Sequence, residues 1–353
     1  MKTADTFEPR RTLLLDLFQV GLARVNGRRC VGAALGAAEP ASPVWVAAIG
    51  KAATAMALGA YDALGGAIER TLIISRDPED LSGFAAGPAP EVWLGSHPVP
   101  DERSLAAGAR LLAWVDELPP SVWPLFLISG GASSLVEVPA PGATLEDLAA
   151  LTRLSFTSGM AIGELNARRA ALSCIKGGRL AARLGGRPAR ALFVSDVPND
   201  DPRVIGSGLM GPAPGGTDGI ERTVIASIDH AVAAVAAHAA QLGLTVHAPR
   251  ERFAGSAERL AARFAHELHL GAAQLCVSSL AAVSCCCSRP APTEATESPR
   301  MPVRSSMRRA ARASRSRSST PMIACTKRIP PVRLPPAATW CTPGRPAPTS
   351  VTS

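Results

Sequence analysis

Aromatic residues are scarce in this chain: eight Phe, five Trp and one Tyr make up 4% of 353 residues. That argues against an aromatic-rich β-sandwich. The 47% apolar content rests on small and aliphatic side chains, which suits helices packed on a parallel sheet. Long hydrophobic runs are missing too. No stretch reaches about eighteen uninterrupted apolar residues, so no membrane span is expected. The N-terminal "MKTADTFEPRRTLLLDLF" has no long apolar segment before a small-residue cleavage site, so no secretory signal is expected. Before residue 284 the cysteines are only Cys30, Cys174 and Cys276, scattered along the chain. A disulfide framework is therefore not expected, which fits a reducing compartment and a cytoplasmic location. Also absent are a Walker loop, a dinucleotide fingerprint and a Ser-His-Asp or Cys-His order.

What is present divides sharply near residue 284. The formal net charge is +8, but the stretch from Ser284 onward holds twelve Lys or Arg against Glu294 and Glu297. That stretch alone is +10, which leaves −2 for the first 283 residues. A basic pI suggests nucleic-acid binding. Here it describes only the last segment, and the body is mildly acidic.

Thr12 to Asn26 reads as an amphipathic helix. "VWVAAIG" is a β-branched apolar strand that runs into the helix former "KAATAMALGAYDAL". "TLIIS" and "EVWLGS" are further strands, and "SLAAGARLLAWVDEL" is a helix. "PLFLISGGASSL" and "ARALFVSDVPNDD" are strands ending in a Gly–Gly turn and an acidic loop. "TVIASIDHAVAAVAAHAAQLG" is a short strand and a helix, and "LTVHAP" is one more strand. The alternation predicts an α/β fold: a Rossmann-like doubly wound parallel sheet with helices on both faces. It holds over 1–250. "ERFAGSAERLAARFAHELHL" and "AAQLCV" over 251–283 read as a helix and a strand that begin another domain. Residues 284–353 lose all periodicity and read as a disordered basic tail.

The candidate chemistry sits where strands end. Lys51 follows Gly50 at a helix start, where an ammonium and backbone N–H groups can meet anionic oxygens. The plainer reading is a solvent-facing lysine. "SGGASS" (Ser129–Ser134) joins Gly130 and Gly131, which admit close backbone approach, to the hydroxyls of Ser133 and Ser134. A tight strand–helix turn is the alternative. "SDVPNDDP" brings Asp196, Asp200 and Asp201 to a strand end, as hard oxygen ligands for Mg²⁺ or as an Asx turn. "NARRAALSCIKGGRLA" reads as one helix carrying Asn166, Arg169, Ser173 and Lys176 on a single face and ending in a second Gly pair. His97 has no ligand-spaced neighbour and reads as a loop histidine bonded locally. One lysine, two Gly-rich turns and a carboxylate cluster form the inventory of phosphoryl transfer.

The stretches "AIGKAATAM", "GSHPVPDERS", "LISGGASSLVEVP", "IGELNARRAALSCIKGGRLA" and "SDVPNDDPRVIGSG" resemble the motif series of the bacterial and archaeal glycerate 2-kinases. That family is sometimes labelled hydroxypyruvate reductase. The resemblance runs in order from Thr12 to Pro214. It implies ATP-dependent phosphorylation of the glycerate 2-hydroxyl to 2-phosphoglycerate, with ATP and Mg²⁺ as cofactors. It also implies a Rossmann-like N-terminal domain and a smaller C-terminal one. Lys51 matches the family's catalytic lysine, expected to neutralise the transferring phosphoryl group. Asp196 matches its motif aspartate, expected to hold Mg²⁺ or orient the hydroxyl, with Asp200 or Asp201 in support. Gly130, Gly131, Ser133 and Ser134 are expected to cradle phosphate or carboxylate, with Asn166 and Lys176 completing the anion site. The partners implied are glycerate and a nucleotide, with no membrane and no nucleic acid; oligomeric state stays open, a homo-oligomer included. One departure is Ser207–Gly208–Leu209–Met210, where the family usually reads "SGPT".

After Val277 the family's Gly/Arg-rich segment and its closing "TGPTGTNV" turn are missing. A basic arm for nucleic acid lacks interleaved aromatics, and Cys285, Cys286 and Cys287 cannot easily converge on one tetrahedral ion. A shifted reading frame accounts for more. Starting each codon of Thr339–Ser353 at the third base of the printed one permits Leu-Val-His-Thr-Gly-Pro-Thr-Gly-Thr-Asn-Val-Gly-Asp-Leu. The expectation is a tail translated out of frame and a chain whose activity is in question. The other readings are an NAD(P)H-dependent hydroxypyruvate reductase and a non-enzymatic nucleic-acid binder.

Overall fold

The computed structural model describes residues 7–246, apart from 37–41, 85–86, 159–161, 214 and 216–217. The elements foreseen over 251–283 and the basic tail over 284–353 lie outside the described residues, as does the domain boundary at 250.

Among the described residues six strands form the sheet: β1 (Val44–Ile49), β2 (Ile68–Ser75), β3 (Glu91–Leu94), β4 (Trp123–Ile128), β5 (Ala189–Val194) and β6 (Ile220–Ala226). All neighbours are parallel, in the order β3-β2-β1-β4-β5-β6. This is the doubly wound order of a Rossmann sheet, and its direction reverses between β1 and β4. The crevice outside the C-terminal ends of those two strands is where such sheets take ligands.

Parallel strands covered on both faces must be apolar throughout, and β1 is buried at all six positions. Alternate side chains go to opposite faces. Trp45, Ala47 and Ile49 join Leu72, Phe126 and Phe193 on one side. Val44, Val46 and Ala48 join Ile73, Leu125 and Leu192 on the other. The first face is covered by α4 (Glu102–Asp116) through Leu111 and Trp114, and by α8 (Arg179–Arg183) through Leu180. The second is covered by α2 (Gly27–Leu35) through Val31, and by α3 (Ala53–Leu64) through Met56, Ala57 and Ala60. Few aromatics are needed because Ala and Leu fill these narrow layers. Truncating Phe126, fully buried between β1 and β5, to Ala should cost about 3–5 kcal/mol.

Three helices complete the part that matters for the site: α5 (Ala132–Leu135), α6 (Leu145–Ser158) and α7 (Ile162–Ala171). A small satellite core joins α1 (Phe7–Arg24) to α9 (Ile228–Gln241) through Leu17, Val235 and Ala239. Among the described residues no helix is long and apolar enough to cross a membrane.

Two expectations need correction. "LTVHAP" is not a strand over its described part: Leu244 and Val246 pack on the α1–α9 core instead, and the residues from 247 lie outside the description. The helix foreseen from Asn166 to Ala181 is broken. It stops at Ala171, and α8 starts at Arg179. Ser173 Oγ accepts the Ile175 and Lys176 N–H groups at 3.3 Å, which competes with the helical ladder. Gly177 and Gly178 then take φ of 63° and 80°, a left-handed turn that ends helices.

Candidate functional site

The β1 and β4 ends are tied together before any side chain reaches out. Lys51 N–H donates to Gly130 O at 2.9 Å, and Ala52 N–H donates to Ser129 Oγ at 3.0 Å. Lys51 therefore stands beside the Gly130–Gly131 turn at the reversal point of the sheet. Gly131 has φ 88°, and a Cβ there would lie 3.1 Å from Lys51 Cε and 3.2 Å from His97 Cδ2. A Cβ on Gly130 would lie 2.1 Å from Asp196 Oδ2. The end of β5 thus lays its carboxylate over Gly130, while Lys51 and His97 flank Gly131. Among the described residues no acceptor meets the N–H of Gly130 or Gly131. Two adjacent open amides beside an ammonium make an anion-binding concavity.

The electrostatics agree with that geometry. The protein packed around Asp196 raises its carboxyl pKa, and the Lys51 ammonium pulls it the other way. Asp196 still keeps an exposed edge at the mouth of the crevice. His97 is pulled down to about 4, first by burial and then by three cations, Lys51, Arg76 and Arg169. It is neutral at physiological pH and lies in a positive field. His97 thus joins the candidate site, where the sequence reading made it a locally bonded loop histidine. Its position in the loop after β3, at the ligand-binding edge, was the available signal. Asp101 of the same motif has a structural task, accepting from Arg103 N–H to cap α4.

The remaining foreseen residues divide. Ser133 Oγ lies 2.6 Å from Ser207 Oγ and accepts from Arg169 Nη1 at 3.3 Å. Ser207 Oγ donates to Asn166 Oδ1 at 2.9 Å, and Asn166 Nδ2 donates to Val204 O at 3.3 Å. Asn166 is buried and braces the 204–207 loop, with Ser133 next in the chain of hydrogen bonds. Ser134 is buried and donates to Gly131 O at 3.3 Å, so it shapes the turn from inside.

Lys176 departs from its expected place. It is 1% exposed and forms an ion pair with Glu137, also 1% exposed. Burial lowers its pKa and Glu137 opposes that fall. Glu137 Oε1 further accepts from Ser173 Oγ at 2.6 Å and Val138 N–H at 3.0 Å. The amides after Lys176 are engaged as well: Gly177 N–H donates to Ser207 O at 3.0 Å and Gly178 N–H to Gly208 O at 2.7 Å. A Cβ on Gly178 would meet Pro212 O at 2.1 Å. This second glycine pair docks the 207–212 loop and leaves no open anion end. The unusual Leu209–Met210 of that loop is fully buried in the core, which accounts for its apolar character.

The three aspartates do not gather. Among the described residues no three His, Cys, Asp or Glu side chains are grouped to hold a metal ion. Asp201 accepts from Arg203 N–H at 2.9 Å and pairs with its guanidinium at 3.0 Å, which lowers the carboxyl pKa. It forms the Asx turn that was the alternative. Asp200 is half-buried with φ 53° on the loop between them.

Comparison with known proteins gives this geometry a family. The model described as "domain of unknown function (DUF4147)" matches residues 13–241. A D-glycerate 2-kinase of Thermotoga maritima is 40% identical over 171 residues, 48% of this chain and 40% of that protein. An Agrobacterium vitis protein that carries a hydroxypyruvate reductase name is 50% identical over 115 residues, 32% of this chain and 29% of that protein. The crystal structure of a Thermotoga maritima glycerate kinase superimposes with a TM-score of 0.60 at 28% identity, covering 68% of this chain and 64% of that one. The matched part thus spans two fifths or less of these two curated relatives. The family model covers more than half of the chain, and the chain therefore belongs to the DUF4147 family.

Proposed function

We propose that the crevice between β1, β4 and β5 carries the phosphoryl-transfer half of an ATP-dependent glycerate 2-kinase. The observation that carries this reading is the convergence of Lys51, Asp196 and the open amides of Gly130 and Gly131 at the reversal point of the sheet. Phosphoryl transfer needs little covalent help from the protein; it needs positioned charge. Lys51 and the two amides neutralise and orient the transferring phosphoryl oxygens. The glycerate 2-hydroxyl oxygen forms the new bond to the γ-phosphorus, the bond to the β-phosphate oxygen breaks, and ADP leaves. Asp196, with its raised pKa, is suited to take the hydroxyl proton.

The donor set also bears on Mg²⁺. Asp196 offers one carboxylate at the crevice mouth, and Mg²⁺ is commonly held by one or two carboxylates together with substrate phosphates. The residues fit that arrangement, with Asp196 as the ligand in place of its role as base and Asp200 four residues further along the loop, and not the three-carboxylate set. When bound there, the ion would supply charge neutralisation on the phosphates.

The reductase reading has less support. The sheet order would suit a dinucleotide, but the turn after β1 reads Gly50–Lys51–Ala52–Ala53 without the glycine fingerprint. An ADP-release assay with glycerate, run on wild type and Lys51→Ala, tests the kinase reading. Glycerate-dependent turnover lost in the variant supports it. Equal turnover of the two, or NADH oxidation with hydroxypyruvate in place of ADP release, contradicts it.

A further inference from the structure

Arg169 is a half-buried guanidinium with no carboxylate partner within ion-pair distance among the described residues. Among the described residues its hydrogen-bond partners are two hydroxyls: Ser133 Oγ at 3.3 Å and Thr152 Oγ1 at 3.3 Å. Burial lowers its pKa, and Glu137 is the one carboxylate whose charge reaches it, already engaged by Lys176 and Ser173. A desolvated cation held only by neutral hydroxyls retains donors for an anion.

Its place relative to the glycine turn adds direction. The open amides and Lys51 lie at Gly130–Gly131. Arg169 reaches Ser133, two residues further on, inside α5. His97 lies against Gly131, within reach of the charges of Lys51, Arg76 and Arg169. The station at the glycine turn is built of backbone N–H groups and a point charge, which suits a phosphoryl group. Arg169 is a planar fork, whose geometry matches a carboxylate by paired hydrogen bonds.

We infer that Arg169 is the carboxylate anchor of the acceptor substrate, with Ser133 beside it, and that this guanidinium is the group that sets the carboxylate above the corresponding neutral polyol and amide. The inference rests on the reading of this crevice as the acceptor site. With its carboxylate on Arg169 beside Ser133, a 2-hydroxy acid has its adjacent hydroxyl on the side of the Gly130–Gly131 turn, where Asp196 and the phosphoryl station lie. Asn166 and Ser207 hold Ser133 from behind and so act as positioning residues.

Calorimetric titration of the full chain with D-glycerate, glyceramide and glycerol, without nucleotide, tests it. Wild type is expected to prefer glycerate. Arg169→Met should weaken glycerate by about thirtyfold or more while leaving glyceramide unchanged. Arg169→Lys should keep part of the preference, and added methylguanidinium should restore glycerate binding to Arg169→Met. Equal weakening of glycerate and glyceramide in Arg169→Met would reduce the residue to a brace for Ser133 and Thr152 and overturn the inference. Unchanged glycerate affinity in that variant, or no glycerate binding by wild type, would overturn it too. ADP release measured in parallel separates the two ideas. Arg169-dependent glycerate binding without turnover defeats the kinase reading alone. Turnover with an unaltered glycerate KM in Arg169→Met defeats this inference alone.

Discussion

The turns Ser129–Gly130–Gly131 and Lys176–Gly177–Gly178 both set a paired glycine beside a lysine, Lys51 in the first case and Lys176 in the second. The first leaves both amides open at the crevice and keeps Lys51 half-exposed beside them. The second donates both amides to Ser207 and Gly208 and buries its lysine against Glu137. One turn is available to a ligand, and the other fastens the chain to itself. The difference teaches that a Gly–Gly pair next to a lysine can offer its N–H groups to a ligand only where the fold leaves those amides without an acceptor. It also makes the two turns depend on each other. Ser207 accepts from Gly177 through its backbone and meets Ser133, beyond the first glycine pair, through its side chain.

The contrast breaks most visibly at Glu137. Glu137→Ala leaves Lys176 uncompensated in the interior and should cost about 3–5 kcal/mol in urea unfolding. Replacing both partners, as Glu137→Leu with Lys176→Met, should recover most of that loss. If the double variant is no better than the single one, the pair has a task beyond mutual compensation. Lys51→Ala is the counterpart at the open turn. It should leave the melting temperature unchanged and reduce glycerate-dependent turnover by about 10²–10³-fold.

Single methyl groups sharpen the same contrast. Gly178→Ala pushes its Cβ against the Pro212 carbonyl and should cost about 1–3 kcal/mol of stability. Gly130→Ala meets the end of the Asp196 side chain first, so it should lower turnover while the melting temperature holds. A variant pair with these effects exchanged would reverse the assignment of the two turns.

The smallest effect is a pH dependence. His97 falls from an ordinary 6.5 to about 4 in the fold, so the unfolded chain binds its proton first as pH drops. Its contribution is present above pH 6.5 and is lost as pH falls toward 4. Asp196, with a raised pKa, acts in the opposite direction as pH falls. His97→Gln should therefore flatten the acid side of the stability curve, by about 1–2 kcal/mol. Parallel curves for wild type and variant would place His97 outside the cation cluster.

Much of the fold was legible because parallel buried strands declare themselves. Val44–Ile49 and Leu125–Ile128 are continuous apolar runs followed by glycine turns and helix formers. The break at Ser173 was not legible, because Ala, Leu and Arg around it favour a helix and only the tertiary partners of Gly177 and Gly178 decide otherwise. At the site, Lys51, Gly130, Gly131 and Asp196 could be singled out because each follows a strand at the reversing edge. Glu137, Arg169 and Lys176 could not be sorted by residue type. Which of these three charges pair with each other in the interior, and which meets only hydroxyls, depends on contacts such as Lys176–Glu137 and Arg169–Ser133, 39 and 36 residues apart in sequence. Glu137 did carry one signal: a carboxylate inside "LVEVP" has to find a partner when it is buried.

The most direct test of the open-turn claim is an amide-resolved NMR titration of the full chain with Mg-ATP. Saturable shifts at Gly130 and Gly131, with Gly177 and Gly178 unmoved, are the predicted result. Shifts at Gly177 and Gly178 alone, or no shift at Gly130 and Gly131 at saturating nucleotide, would contradict it.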